Sequence, residues 1–99
     1  MIRGTTPIHI FTHSLDPSDF KKIRIIYSQN HNVLFVKNIE DCTVEGNTIA
    51  VRLTQEDTLA FDHDVPVNIQ VRILTTNDIA LASVIQTVRV SRCLENGVI

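Results

Sequence analysis

Val67-Asn68-Ile69-Gln70-Val71-Arg72-Ile73 alternates apolar and polar residues without a break. Successive side chains of a β-strand point to opposite faces, so a period of two describes a strand with one face in a core and one in water. The same rhythm returns in residues 22–27 and 48–53. Three such segments in a chain of 99 residues specify an all-β domain.

The rest of the chain fits around these strands. Residues 7–12 read as a first strand, with Pro7 at its start, where a missing N–H does least harm. Asp16, Pro17 and Asp19 suit the N-cap, N1 and N3 positions of one helical turn. Ile23, Ile25 and Tyr27 share one face of the next strand, and Arg24, Ile26 and Ser28 share the other. Gln29-Asn30-His31-Asn32 reads as a four-residue hairpin loop. The returning run Val33-Leu34-Phe35-Val36 is apolar on both faces, which predicts a central or covered strand. A short strand follows at residues 42–44, and Glu45-Gly46-Asn47 turns into residues 48–53.

Thr54 and Asp57 then form a capping-box-like start to a second helical turn, after which Leu59 and Phe61 should enter the core. Asp62-His63-Asp64 reads as an exposed loop and Thr75-Thr76-Asn77-Asp78 as a turn. The last strand, residues 79–92, changes phase: Ile79 and Leu81 are odd, whereas Val84, Val88 and Val90 are even. A bulge near Ala82-Ser83 would reconcile them. Residues 94–99 should fray unless a partner holds them. About seven strands at this spacing suggest one two-layer sandwich over residues 1–99, with its core between about 6 and 93.

Composition narrows the function classes. A hydrophobic fraction of 43% with no Trp predicts an aliphatic core that folds without metal or disulfide support. Net charge is −2 and the nine Lys and Arg are scattered, so no basic face for nucleic acid is expected. No apolar run reaches the roughly 20 residues of a membrane helix, and the start lacks a signal-peptide core, so folding in a cytosol is expected. Cys42 and Cys93 then read as two buried free thiols, although a single disulfide remains open.

The chemistry-bearing residues form no recognisable motif. His9 and His13 are four apart, a chelating interval on a helix but a separation of about 13 Å on a strand. Asp62, His63 and Asp64 could hold a cation weakly, but they read first as a hydrated loop. Cys42 sits at a strand start rather than in a nucleophile elbow. Three glycines make no phosphate-cradling loop. Neither a cofactor nor a metal is expected.

At residues 53–61, Leu53, Asp57, Thr58, Ala60 and Phe61 resemble the E–F corner of immunoglobulin-like sandwiches. Phe61 stands where tyrosine is usual, and no cysteine follows two residues on. The resemblance therefore implies the shape of the corner and not the disulfide. Most of the chain is similar to small uncharacterised proteins encoded in prophages of gut Firmicutes. That likeness rests on Gly4-Thr5-Thr6-Pro7, on Leu53-Thr54-Gln55-Glu56-Asp57-Thr58, and on Val71-Arg72-Ile73-Leu74-Thr75-Thr76 with Ala80-Leu81-Ala82-Ser83. It implies a virion or phage-assembly component made in the bacterial host cytoplasm.

The sequence thus predicts a single immunoglobulin-like β-sandwich with one or two helical turns. Its expected role is a non-enzymatic interaction module that pairs with itself or with other phage structural proteins, as a homo-oligomer, without nucleic acid or membrane. The expected contact residues are Pro7, His9 and Phe11 on an edge strand, with Leu94, Val98 and Ile99 in the tail. The alternative is a ligand-binding or adhesion module that holds a carbohydrate or cation through residues 29–32 and 62–64. A small hydrolase would require a desolvated carboxylate or a His–Cys contact.

Overall fold

The structure is a computed structural model that describes residues 1–99. Eight strands are present: β1 (Ile8–Thr12), β2 (Phe20–Gln29), β3 (Asn32–Asn38), β4 (Cys42–Glu45), β5 (Thr48–Arg52), β6 (Val67–Thr75), β7 (Ala80–Ala82) and β8 (Gln86–Val88). One short helix, α1 (Gln55–Leu59), and two 3-10 turns, Pro17–Asp19 and Ile39–Asp41, complete the chain. No helix is long and apolar enough to cross a membrane.

The strands form two antiparallel sheets. One has the order β1-β5-β4 and the other β3-β2-β6-β7, with β8 also paired to β6. This is the pairing of an immunoglobulin-like sandwich, with β1 to β6 in the places of strands B, C, C′, D, E and F, and β7 with β8 in the place of G. α1 occupies the E–F corner. Thr54 Oγ1 accepts from the Asp57 N–H at 3.0 Å, and Asp57 Oδ2 accepts from the Thr54 N–H at 2.9 Å, which closes the capping box. No strand occupies the place of A beside β1. Instead Ile2 forms a parallel bridge to Ser91.

The alternation seen in the sequence decides what each sheet buries. Ile23, Ile25 and Tyr27 of β2 lie beside Val71 and Ile69 of β6, with Ile25 opposite Val71 and Tyr27 opposite Ile69. Ile49 and Val51 of β5 face them from the other sheet, and Leu53 and Phe61 close the α1 end. Leaving one of these groups exposed would forfeit about 1.5–3 kcal/mol of hydrophobic stabilisation. The two Cys remain free thiols and are half-buried.

The phase change in the last strand is a bulge. β7 pairs Arg72 with Ala82, whereas β8 pairs Val67 with Val88, a register one residue longer. Ser83 sits in the bulge, and its Oγ takes the Val71 N–H at 3.0 Å, the bond a backbone carbonyl would otherwise accept.

Three sequence expectations are corrected. β3 is an edge strand and not a covered one, and Val33 is 61% exposed. Its apolar outer face misled: of the run Val33-Leu34-Phe35-Val36, only Phe35 and Val36 are half-buried. The β2–β3 connection has two residues and not four: Asn30 (φ 50°) and His31 (φ 64°) both take the left-handed conformation a tight hairpin requires. Within α1, Thr58 is buried and Leu59 only half-buried, because the Thr58 hydroxyl turns inward to donate to the Thr5 carbonyl at 2.8 Å.

Candidate functional site

β1 has only one partner strand. The Leu53 N–H donates to the Pro7 carbonyl at 2.9 Å, and the His13 N–H donates to the Asn47 carbonyl at 2.8 Å. Antiparallel bonding alternates, so the odd residues of β1 spend their backbone groups on β5. The N–H and C=O groups of Ile8, Ile10 and Thr12 therefore point to the free edge. Ile8 and Ile10 are 50% and 64% exposed on the outer face of the sheet.

Sheet edges are usually blunted by a charge, a proline within the strand or a bulge. The sequence Ile8-His9-Ile10-Phe11-Thr12 carries none of these. By contrast, the edge strand β3 carries Lys37 and a register shift, and the edge strand β4 ends in Glu45.

Beside β1 the two sheets part. A cleft of about 460 Å³ opens between the β1 and β7 edges, lined by Phe11, Leu15, Ile49, Ile73 and Leu81 among others. The outer edge of β7 is also unpaired, since Leu81 bonds to Ile73 and leaves the Ala80 and Ala82 backbone groups facing outward. One side of the sandwich thus combines two free edges with an apolar gap.

The interior polar groups form a second cluster. His9 Nδ1 lies 2.7 Å from the Tyr27 hydroxyl, and the Tyr27 and Phe35 rings stack at 4.7 Å. Burial raises the Tyr27 pKa well above the usual phenol value, so the hydroxyl keeps its proton. Burial, and then the N-terminal ammonium, lowers that of His9, so the imidazole is held neutral. Lys37 pairs with Asp57 at 2.7 Å and passes over the Phe35 ring. The Cys42 thiol is pushed up to about 11 by burial first and then by Asp41 and Glu40.

This cluster is poorly arranged for catalysis. His9 and Cys42 both sit opposite Val51, on either side of β5, two strand spacings or roughly 10 Å apart. A base must reach its nucleophile at about 3 Å. His9, Tyr27, Lys37, Cys42 and Asp57 line neither the cleft between β1 and β7 nor the cavities beside Arg3, Arg24 and His31. No three His, Cys, Asp or Glu side chains converge as a metal would require.

The structure distributes the sequence-derived contact residues differently from their grouping in the sequence. Pro7, His9 and Phe11 face β5 with their backbone and the interior with their side chains. The free groups belong to their neighbours Ile8, Ile10 and Thr12. In the tail, Leu94 and Ile99 are fully exposed and Val98 is half-exposed. The Ile99 N–H donates to Gln55 Oε1 at 2.7 Å, which brings the tail back to α1. The two loops of the ligand-binding alternative do meet at one end. Gln29 Nε2 donates to the carbonyls of Asp62 and Val65, both at 2.9 Å, and Gln29 Oε1 accepts from the Asp62 N–H. No group of three metal-binding side chains forms there, and Asp64 pairs with His63 at 2.9 Å.

No family model, curated protein or solved structure matches this chain.

Proposed function

We propose that the chain is a non-enzymatic assembly module that joins copies of itself by strand addition at β1, as a structural component of a phage or prophage particle. The observation that carries the reading is the unpaired backbone of Ile8, Ile10 and Thr12 on an edge free of any charge, proline or bulge. The edge is self-complementary. Two antiparallel copies of β1 centred on Ile10 place Ile8 opposite Thr12 of the second copy and pair every free group of the three residues. The outward Ile8 and Ile10 side chains then meet across the axis and lose their exposure. The phage setting rests on the sequence resemblance to prophage-encoded proteins alone, and a host-cytoplasmic and virion location is part of the same proposal.

Size-exclusion chromatography with light scattering tests the reading. The wild-type chain should form dimers or larger species as concentration rises, and Ile10→Lys should remain monomeric with an unchanged circular-dichroism spectrum. A wild-type chain that stays monomeric up to millimolar concentration, or an Ile10→Lys variant that assembles like the wild type, overturns it.

A further inference from the structure

We propose a second site, an oxyanion pocket at the α1 end of the sandwich, that binds a carboxylate or phosphate group between Arg3 and Arg92. A cavity of about 360 Å³ lies there, lined by Arg3, His63, Arg92, Cys93, Leu94 and Asn96. Three separate segments build it: the N-terminal residues, the loop between α1 and β6, and the chain beyond β8. Three of its six lining residues, Arg3, Arg92 and Asn96, carry guanidinium or amide groups that donate hydrogen bonds.

Arg3 is held in place from the protein side. Its Nη2 donates to the Leu59 carbonyl at 2.9 Å and its Nη1 to Asn96 Oδ1 at 3.1 Å. Its Nε is buried and has no hydrogen-bond partner, a costly state for a charged donor. The ion pairs of the molecule are Lys21–Asp78, Lys37–Asp57 and His63–Asp64, so neither Arg3 nor Arg92 has a carboxylate partner. The carboxylate in contact with a lining residue is that of Asp64, which meets His63 Nδ1 at 2.9 Å. Two arginines without a carboxylate partner therefore line one concave site in a chain whose net charge is −2.

That arrangement selects its ligand. Guanidinium groups pair well with the oxygens of a carboxylate or phosphate, and two arginines without a carboxylate partner attract an anion and repel a cation. A neutral sugar would leave both charges without a counterpart.

Cys93 lines the pocket and reports on it, whereas Cys42 lies outside it on β4. The full chain is treated with the neutral reagent iodoacetamide, and alkylation at each cysteine is followed by mass spectrometry. Inorganic phosphate and acetate are titrated separately against sodium chloride at equal ionic strength. Cys93 alkylation should fall about tenfold once ligand exceeds its dissociation constant about tenfold, while Cys42 keeps its rate. Protection by phosphate alone assigns the site to a phosphate group, and protection by acetate as well assigns it to carboxylates. Arg92→Gln, an exposed position, should remove the protection without altering the fold. A Cys93 rate that ignores both anions, or protection that survives Arg92→Gln, overturns the proposal.

Discussion

The Tyr27 hydroxyl and His9 Nδ1, 2.7 Å apart, join the two sheets of the sandwich through a polar contact beside the apolar core. Tyr27 belongs to the five-stranded sheet and His9 to the open-edged strand β1, so the bond ties the free edge to the core. Tyr27→Phe leaves the half-buried imidazole without its partner. The expected cost is about 1–2 kcal/mol, read as a lower urea midpoint with an unchanged slope.

The same pair sets a pH dependence. The folded state holds His9 below its ordinary value of 6.5, so the unfolded chain binds this proton more readily. The contribution is present in full above that value. It is lost as pH falls from 6.5 to the lower folded value, beneath which both states are protonated. Denaturation midpoints measured from pH 7.5 down to 5 should decline, and His9→Gln should flatten that part of the profile.

Asp57 joins the E–F corner to the β3 edge, since it closes the capping box with Thr54 and pairs with Lys37. Burial alone would raise its pKa, but the Lys37 ammonium and the Thr54 N–H outweigh it and bring the carboxyl below its usual value of 3.8. Its contribution is therefore present above 3.8 and is lost as pH falls through the depressed folded value. Asp57→Asn should cost about 2–3 kcal/mol at neutral pH in chemical denaturation, because it removes the ion pair and leaves Lys37 partly buried without a partner.

Gln29 is a buried polar side chain whose three hydrogen bonds fix the loop between α1 and β6. Gln29→Ala leaves the Asp62 N–H and two carbonyls without partners. The expected loss is about 2–3 kcal/mol, together with faster amide exchange at Asp62.

Cys42 should be a slow thiol. With its pKa at about 11, only about one molecule in a thousand carries the thiolate at pH 8. Alkylation rates followed across pH should rise with a midpoint near 11, and a midpoint near that of free cysteine would contradict the packing described for β4.

The sequence discloses the elements whose two faces differ chemically. Residues 67–73 and 22–27 carry polar groups on one face only, so their burial follows directly from alternation. The bulge at Ser83 is legible for the same reason, as the apolar parity changes across it. β1 is different. Ile8 and Ile10 are as apolar as Phe11 beside them, so parity alone does not say which side faces inward. The Tyr27–His9 bond settles it, and that bond joins residues eighteen apart on different sheets. β3 misled in the same way, because an apolar outer face reads like a covered one. The pocket around Arg3 and Arg92 was illegible because it depends on three segments that only the folded chain brings together. Gln29 carried no signal either, since a glutamine beside a turn ordinarily faces water.

Residue-resolved amide hydrogen exchange, followed as concentration increases, tests strand addition at β1 most directly. At low concentration the Ile8, Ile10 and Thr12 amides should exchange quickly while His9 and Phe11 are protected by β5. At high concentration all five should be protected. Fast exchange of the three even amides at every concentration would contradict the account.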